Sequence, residues 1–272
     1  MQKTKLPAGL FAGAFFLFAA QAACAAPDVL ATVKPLHSLA SAVMAGVGTP
    51  DLLVGGGMSV HDYALKPSDA RKLERANLIF EVGPDLETWL DAPLKSLAHG
   101  RVVVLERTPG VKRLLARSGG VWEGEEHDRR HGGYDPHIWL DPQNAVAMTR
   151  TMAEALAQAD PANARRYRAN AERSIAALKR LDGELKARLA PVRGRPYLVF
   201  HDAYQYFETR YGLRAAGAVT VSPDRPAGPR RIAELRRTAA SGGAVCLFRE
   251  PEFPPKLIAT IGERTAIKTG VL

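Results

Sequence analysis

DPANARRYRANAERSIAALKRLDGELKARL, residues Asp160–Leu189, reads as one uninterrupted helix lying between two α/β halves. Asp160 suits the cap, its carboxylate accepting from free backbone N–H groups. Pro161 suits the first helical position, where its missing N–H would have had no partner. Pro191 closes the other end. Between them Tyr167, Ala171, Ser174/Ile175, Leu178, Leu181/Asp182, Leu185 and Leu189 recur every three or four residues, an apolar stripe that needs a surface to lie on. At about 1.5 Å per residue the helix spans roughly 45 Å, enough to run along two lobes as a strut. On pattern alone the same stretch also suits a long surface helix of one domain.

Either side of it short β-rich runs alternate with helical ones. Before it, Val29–Val33, Leu52–Val54, Leu78–Val82 and Val102–Leu105 read as strands buried on both faces, and His37–Ala45, Pro67–Ala76, Pro84–Leu90 and Asn144–Ala159 as helices. After it come strands at Tyr197–Phe200, Ala218–Val221, Ala244–Phe248 and Ala266–Thr269, with helices at Ala203–Tyr211, Pro229–Ala240 and Pro254–Gly262. This is the βαβ rhythm of parallel sheets. It predicts an α/β fold of two βα lobes, 26–159 and 191–272, with mostly parallel sheets joined by one long rigid helix, 160–190. The rhythm breaks at Ser118–Tyr134, a polar Gly-rich loop with acidic residues and two histidines. The chain stops at Gly270-Val271-Leu272 on the edge of a strand, which reads as a C-terminal lobe without its closing segment.

Residues 1–25 stand apart. Lys3 and Lys5 precede the apolar run Leu10–Ala20, about as long as a signal h-region and short for a membrane span, and Ala23-Cys24-Ala25 fits a small-x-small cleavage pattern. Processing is expected near Ala25 or Ala26, which places the mature chain in the periplasm. Cys24 raises the thought of a lipid anchor, but Gln21 stands where a lipobox wants an aliphatic residue. Without residues 1–25 the formal charge of +9 becomes +7, since that segment holds two lysines and no acid. The basic residues are scattered among acids and lack the aromatic interleaving of a nucleic-acid surface. Cys246 is then the one cysteine left, either short of a partner or packed as a small apolar residue in its strand.

Several enzyme motifs are absent. Gly55-Gly56-Gly57 follows a strand but lacks the Lys-Ser/Thr of a phosphate loop and the spacing of a dinucleotide fingerprint. No G-x-S-x-G elbow is present either. Histidine placement is more informative. His61, His137 and His201 are predicted beyond the carboxyl ends of strands, where open α/β sheets bind ligands. Singly, each position also suits a histidine hydrogen-bonded in a turn. His37 and His99 read as structural or exposed, while His127 and His131 sit among Glu123, Glu125, Glu126 and Asp128 as a loose metal collector at most.

The runs around the three histidines are Ser59-Val60-His61-Asp62-Tyr63 with Lys66-Pro67-Ser68-Asp69, Val82-Gly83-Pro84-Asp85-Leu86-Glu87, Asp135-Pro136-His137-Ile138-Trp139-Leu140-Asp141-Pro142, Phe200-His201-Asp202-Ala203-Tyr204-Gln205-Tyr206-Phe207 and Arg249-Glu250-Pro251-Glu252-Phe253. In that order, from about Val29 to Leu272, they resemble the zinc- and manganese-binding receptors of bacterial ABC importers, most of all the zinc-uptake branch. The resemblance implies a metal in the cleft between lobes, His61, His137 and His201 as its ligands, an ABC permease as partner and a monomer in solution. It has two departures: some zinc members carry Glu where Val60 stands, and members commonly continue into an Asp-Pro-Leu segment whose Asp approaches the metal. The fourth position is therefore left to water or to a residue past Leu272. Zinc receptors of this kind often carry a second cysteine near the C-terminus, which would explain a lone Cys246. The metal-collecting loop is usually richer in histidine than Ser118–Tyr134.

Three neutral imidazoles suit Zn²⁺, whereas Mn²⁺ prefers more oxygen. Two rival readings remain at this level. Three histidines and a water also describe a catalytic zinc, so a periplasmic hydrolase or hydratase with Asp62, Asp202 or Glu250 as base is one. A surface adhesin on the same scaffold is the other.

Overall fold

The computed structural model describes residues 26–117, 122, 133–220, 227–251, 253 and 255–272. In chain order the first half runs β1 (Val29–Ala31), α1 (Lys34–Met44), β2 (Asp51–Leu52), α2 (Pro67–Arg75), β3 (Leu78–Glu81), α3 (Asp91–Leu97) and β4 (Arg101–Val104). Two long helices follow, α4 (Pro142–Ala159) and α5 (Ala164–Leu189). The second half runs β5 (Tyr197–His201), α6 (Gln205–Tyr211), β6 (Ala215–Thr220), α7 (Pro229–Ala240), β7 (Cys246–Arg249), α8 (Lys256–Gly262) and β8 (Lys268–Val271). Among the described residues these strands pair in parallel throughout, in two four-stranded sheets ordered β2-β1-β3-β4 and β6-β5-β7-β8. The halves thus repeat one strand order. Parallel pairing requires crossovers, and the helices that supply them cover the sheet faces.

Side-chain alternation divides the first sheet into two packed faces. Val29, Ala31, Leu78, Phe80 and Val103 join a core with Leu36, Ala40 and Val43 of α1, Met148, Met152 and Leu156 of α4, and Tyr167 and Ala171 of α5. Leu30 and Ile79 point the other way, onto Leu73 of α2 and the segment around Leu90. In the second sheet Leu198, Phe200, Val219 and Leu247 pack against Leu235 of α7 and Ile258 and Ile261 of α8. Central strands β1 and β3 are buried throughout, as expected. The edge strands β4 and β8 are not, since each has a neighbour on one side alone.

The linking stretch departs from its reading in two respects. It opens with a tight turn over Pro161–Asn163 before α5 proper begins at Ala164. The Asp160 carboxylate also caps no backbone N–H. Its Oδ2 accepts from Tyr167 Oη and Asn163 Nδ2, each at 2.8 Å, because the buried phenol needed an acceptor. The stripe is deep only at first. Tyr167, Ala171 and Ile175 are buried, Leu178, Leu185 and Leu189 half-buried, and Leu181 exposed. Where packing thins, Asp182 takes over, accepting from Arg210 Nε at 2.9 Å, Tyr211 Oη at 3.1 Å and Gln143 Nε2 at 3.4 Å. One carboxylate on α5 therefore pins α6 and the start of α4.

The stretch Pro84–Leu90 is not a helix. Gly83, at φ +148°, turns the chain in a conformation that L side chains rarely adopt, and Glu87 Oε2 accepts its N–H at 2.9 Å. That turn buries Leu86, Glu87 and Leu90, and regular α-structure starts only at Asp91. Cys246 is a free, half-buried thiol on β7. Among the described residues no helix is long and apolar enough to cross a membrane.

Candidate metal centre

His61, His137 and His201 come from three separate places. His61 lies in the loop between β2 and α2, His137 just before the single turn Ile138–Leu140, and His201 is the last residue of β5. The structure nevertheless gathers them. One ring nitrogen of each lies within 4.8 Å of the others, the one group of this kind among the described residues. Ring centroids stand 5.2, 5.6 and 5.3 Å apart, and His61 Nε2 is 3.3 Å from His137 Nε2. Two imidazole nitrogens bound to one tetrahedral Zn²⁺ at ~2.0–2.1 Å would themselves be separated by about 3.3 Å. The pair already has that spacing.

Local chemistry explains how each ring is held. Trp89 Nε1 donates to Val60 O at 2.9 Å and stacks edgewise on Tyr63, whose hydroxyl donates to Asp69 Oδ2 at 2.8 Å. Asp69 also accepts the Lys66 N–H at 3.0 Å, so the start of α2 and the His61 loop share one anchor. Val60, which cannot ligate, packs on the apolar core. Asp135 Oδ1 accepts both the His137 backbone N–H, at 2.9 Å, and Nδ1, at 2.8 Å. That leaves Nε2 of His137 facing the other rings.

His201 is held by strand register. Tyr197 and Leu198 of β5 lie opposite Cys246 and Leu247 of β7, so the end of β5 meets the residue that follows β7. That residue is Glu250, whose Oε1 and Oε2 lie 2.9 and 2.7 Å from His201 Nδ1. The site thus sits outside the carboxyl ends of the central strands, where the crossovers change direction. Carboxylates on Nδ1 fix both the tautomer and the direction of the free nitrogen.

Burial sets the charge state. His137 is pushed well below the ordinary histidine pKa by desolvation, then by the nearby charge of His201, against the opposing pull of Glu250. It is therefore a neutral donor at neutral pH. Asp135 is raised to about 7 by burial, opposed by its bond from the His137 backbone and the charge of Arg117.

The remaining sequence candidates fall elsewhere. His37 Nε2 pairs with Pro50 O at 3.0 Å and His99 is exposed. His127 and His131, with all but Trp122 of 118–132, lie outside the described residues, as do residues 1–25 and Glu252. Of the three carboxylates considered as bases, Asp62 is exposed, Asp202 is held by Arg117 and Glu250 by His201. Sequence reading gave no role to Asp135, although it stands two residues before His137, and overlooked Arg117.

Comparison with known proteins identifies the family. Residues 29–272 match the family model described as "ZnuA: Zinc-uptake complex component A periplasmic". The high-affinity zinc uptake system protein ZnuA of Brucella abortus is 43% identical over 275 residues, covering 90% of this chain and 82% of that protein. A crystal structure of ZnuA superposes with a TM-score of 0.78 at 25% identity, covering 91% of each chain. The laminin-binding protein Lmb of Streptococcus agalactiae, described as bifunctional with adhesin and metal-transporting activity, shares the fold at a TM-score of 0.76 and 22% identity, over 90% of this chain and 88% of that one. Family match, sequence identity and fold agree, and the chain belongs to the ZnuA family of periplasmic zinc-uptake components.

Proposed function

We propose that the chain is the extracytoplasmic receptor of a zinc importer, binding Zn²⁺ through His61, His137 and His201 and delivering it to the membrane permease of an ABC transporter. The observation that carries this reading is the convergence of three ring nitrogens within 4.8 Å from remote parts of the chain. Three imidazoles suit Zn²⁺, whereas Mn²⁺ prefers more oxygen. His61 and His137 precede α5 and His201 follows it, so bound zinc ties the first half to the second and presents a closed face to the permease. Release is aided by acid, because each imidazole binds either a proton or the metal.

The reading assigns residues 1–25 to an export signal cleaved near Ala25 or Ala26, 26–159 and 191–272 to two lobes, and 160–190 to the linking helix. The protein acts as a monomer and binds no nucleic acid. It acts as a transport receptor and not as an enzyme, a view supported by its family. Calorimetric titration of the metal-stripped mature chain tests the function. The expected result is a single tight Zn²⁺ site, much weaker Mn²⁺ binding, and loss of the site in the His61→Ala/His137→Ala/His201→Ala variant. Zinc binding that survives in that variant rejects the site.

A further inference from the structure

Arg117 lies outside the histidine cluster but touches what stands behind it. Its Nε donates to Asp202 Oδ2 at 3.0 Å, its Nη2 donates to Asp202 Oδ1, and its Nη1 donates to Glu208 Oε2 at 2.6 Å. The three side chains are only 17%, 7% and 6% exposed. Asp202 follows His201 directly, and Glu208 lies on α6, whereas Arg117 belongs to the chain between β4 and α4. The contact therefore crosses from the part of the chain that holds His61 and His137 to the part that holds His201.

The surroundings reinforce that crossing. Leu114 N–H donates to Tyr206 Oη at 3.0 Å, and Tyr206 O–H donates to Asp135 O at 2.8 Å. Gln205 Nε2 donates to Leu115 O at 3.1 Å. Arg117 also acts electrostatically on Asp135, the carboxylate that orients His137. One guanidinium thus stands between the supports of two of the three histidines. Burial opposes its charge, but the bonds and charges of Asp202 and Glu208 outweigh that, and its pKa is raised. A forked donor is needed here, because a lysine ammonium cannot serve two carboxylates with the same fixed geometry.

We infer that Arg117 is a positioning residue for the metal centre: by clasping Asp202 and Glu208 it holds His201 opposite His61 and His137 before any metal arrives. Glu250 sets the rotation of the His201 ring, and Arg117 sets the position of the backbone that carries it, through the neighbouring Asp202. Without the clasp, a smaller fraction of molecules has all three nitrogens in place, and the apparent dissociation constant rises as that fraction falls. The inference rests on the metal reading above.

Replacing Arg117 alone leaves two buried carboxylates without their cation, which destabilises the fold whatever the residue does for metal. The decisive variant is therefore Arg117→Met/Asp202→Asn/Glu208→Gln, which removes the clasp and its charges together, studied beside Arg117→Lys and the three-histidine variant. Zinc affinity and dissociation rate are measured by competition with a chromogenic chelator at a temperature where circular dichroism shows every variant folded. The expected result is a loss of zinc affinity of about tenfold or more in the decisive variant, expressed mainly as faster dissociation, with Arg117→Lys in between. Affinity within twofold of the parent in a folded decisive variant overturns the clasp and leaves the metal site standing. Parent-like binding in the three-histidine variant overturns the metal site and the clasp with it.

Discussion

His201 and Glu250 illustrate how an imidazole proposed as a metal ligand is oriented by the fold itself. The imidazole is the last residue of one parallel strand and the carboxylate follows the neighbouring one, so the pairing register brings them side by side. Glu250→Ala removes that support and leaves the ring free to rotate. Zinc affinity is expected to fall about 10- to 100-fold while the fold persists, a change calorimetry reads directly. At this scale the sequence was most legible where chemistry is local: the five runs around the histidines singled out all three. It was least legible where partners are remote. Arg117 and Asp202 are 85 residues apart, and no spacing rule announces that contact. Asp135 was closer at hand, since a carboxylate two residues before a histidine can reach both its N–H and its Nδ1.

Elements show a different balance. The strands and α7 fell close to where the sequence pattern placed them, because short apolar runs and a proline in the first helical turn are local signals. The miss at Pro84–Leu90 has a specific cause: the apolar residues there are buried by a turn held between Gly83 and Glu87, which periodicity cannot distinguish from a helix. That turn makes a pH prediction. Glu87 is raised from 4.5 to about 8 by burial, with Glu81 adding repulsion, and Glu81 is itself raised to about 7 by burial and then by Asp91 and Glu106, against Arg107. Such acids hold a proton more tightly folded than unfolded, so their contribution is fullest below pH 4.5 and is lost as pH rises towards 8. Thermal melts of the metal-free chain should show stability falling between about pH 5 and pH 8 by a few kcal/mol, on the order of the pKa shift. Glu87→Gln should flatten that slope, and an unchanged slope would count against a buried acid. Tyr206 is a second test. Its hydroxyl accepts from Leu114 N–H and donates to Asp135 O, so Tyr206→Phe strands both groups and should cost about 1–3 kcal/mol in a denaturant titration.

Across the whole molecule, the two sheets repeat one strand order and α5 runs between them. That plan was visible in the βα rhythm on either side of Asp160–Leu189. The apolar stripe that fastens the first half of α5 was legible as well; hidden from sequence was the fastening of its second half by Asp182, which collects α4 and α6. A strut anchored along its length predicts little lobe movement, so solution scattering of metal-free and zinc-loaded protein should give the same radius of gyration within error. A large contraction would contradict it. Zinc held at about 1,000 times its dissociation constant should stabilise the chain by about 4 kcal/mol, a rise in melting temperature of roughly 8–16 °C. The central claim, that zinc is held by His61, His137 and His201, is tested most directly by the zinc-edge X-ray absorption spectrum of the loaded mature chain. The account predicts three imidazole nitrogens at about 2.0–2.1 Å with one further light donor, while a sulfur neighbour near ~2.3 Å, or fewer than three imidazoles, would contradict it.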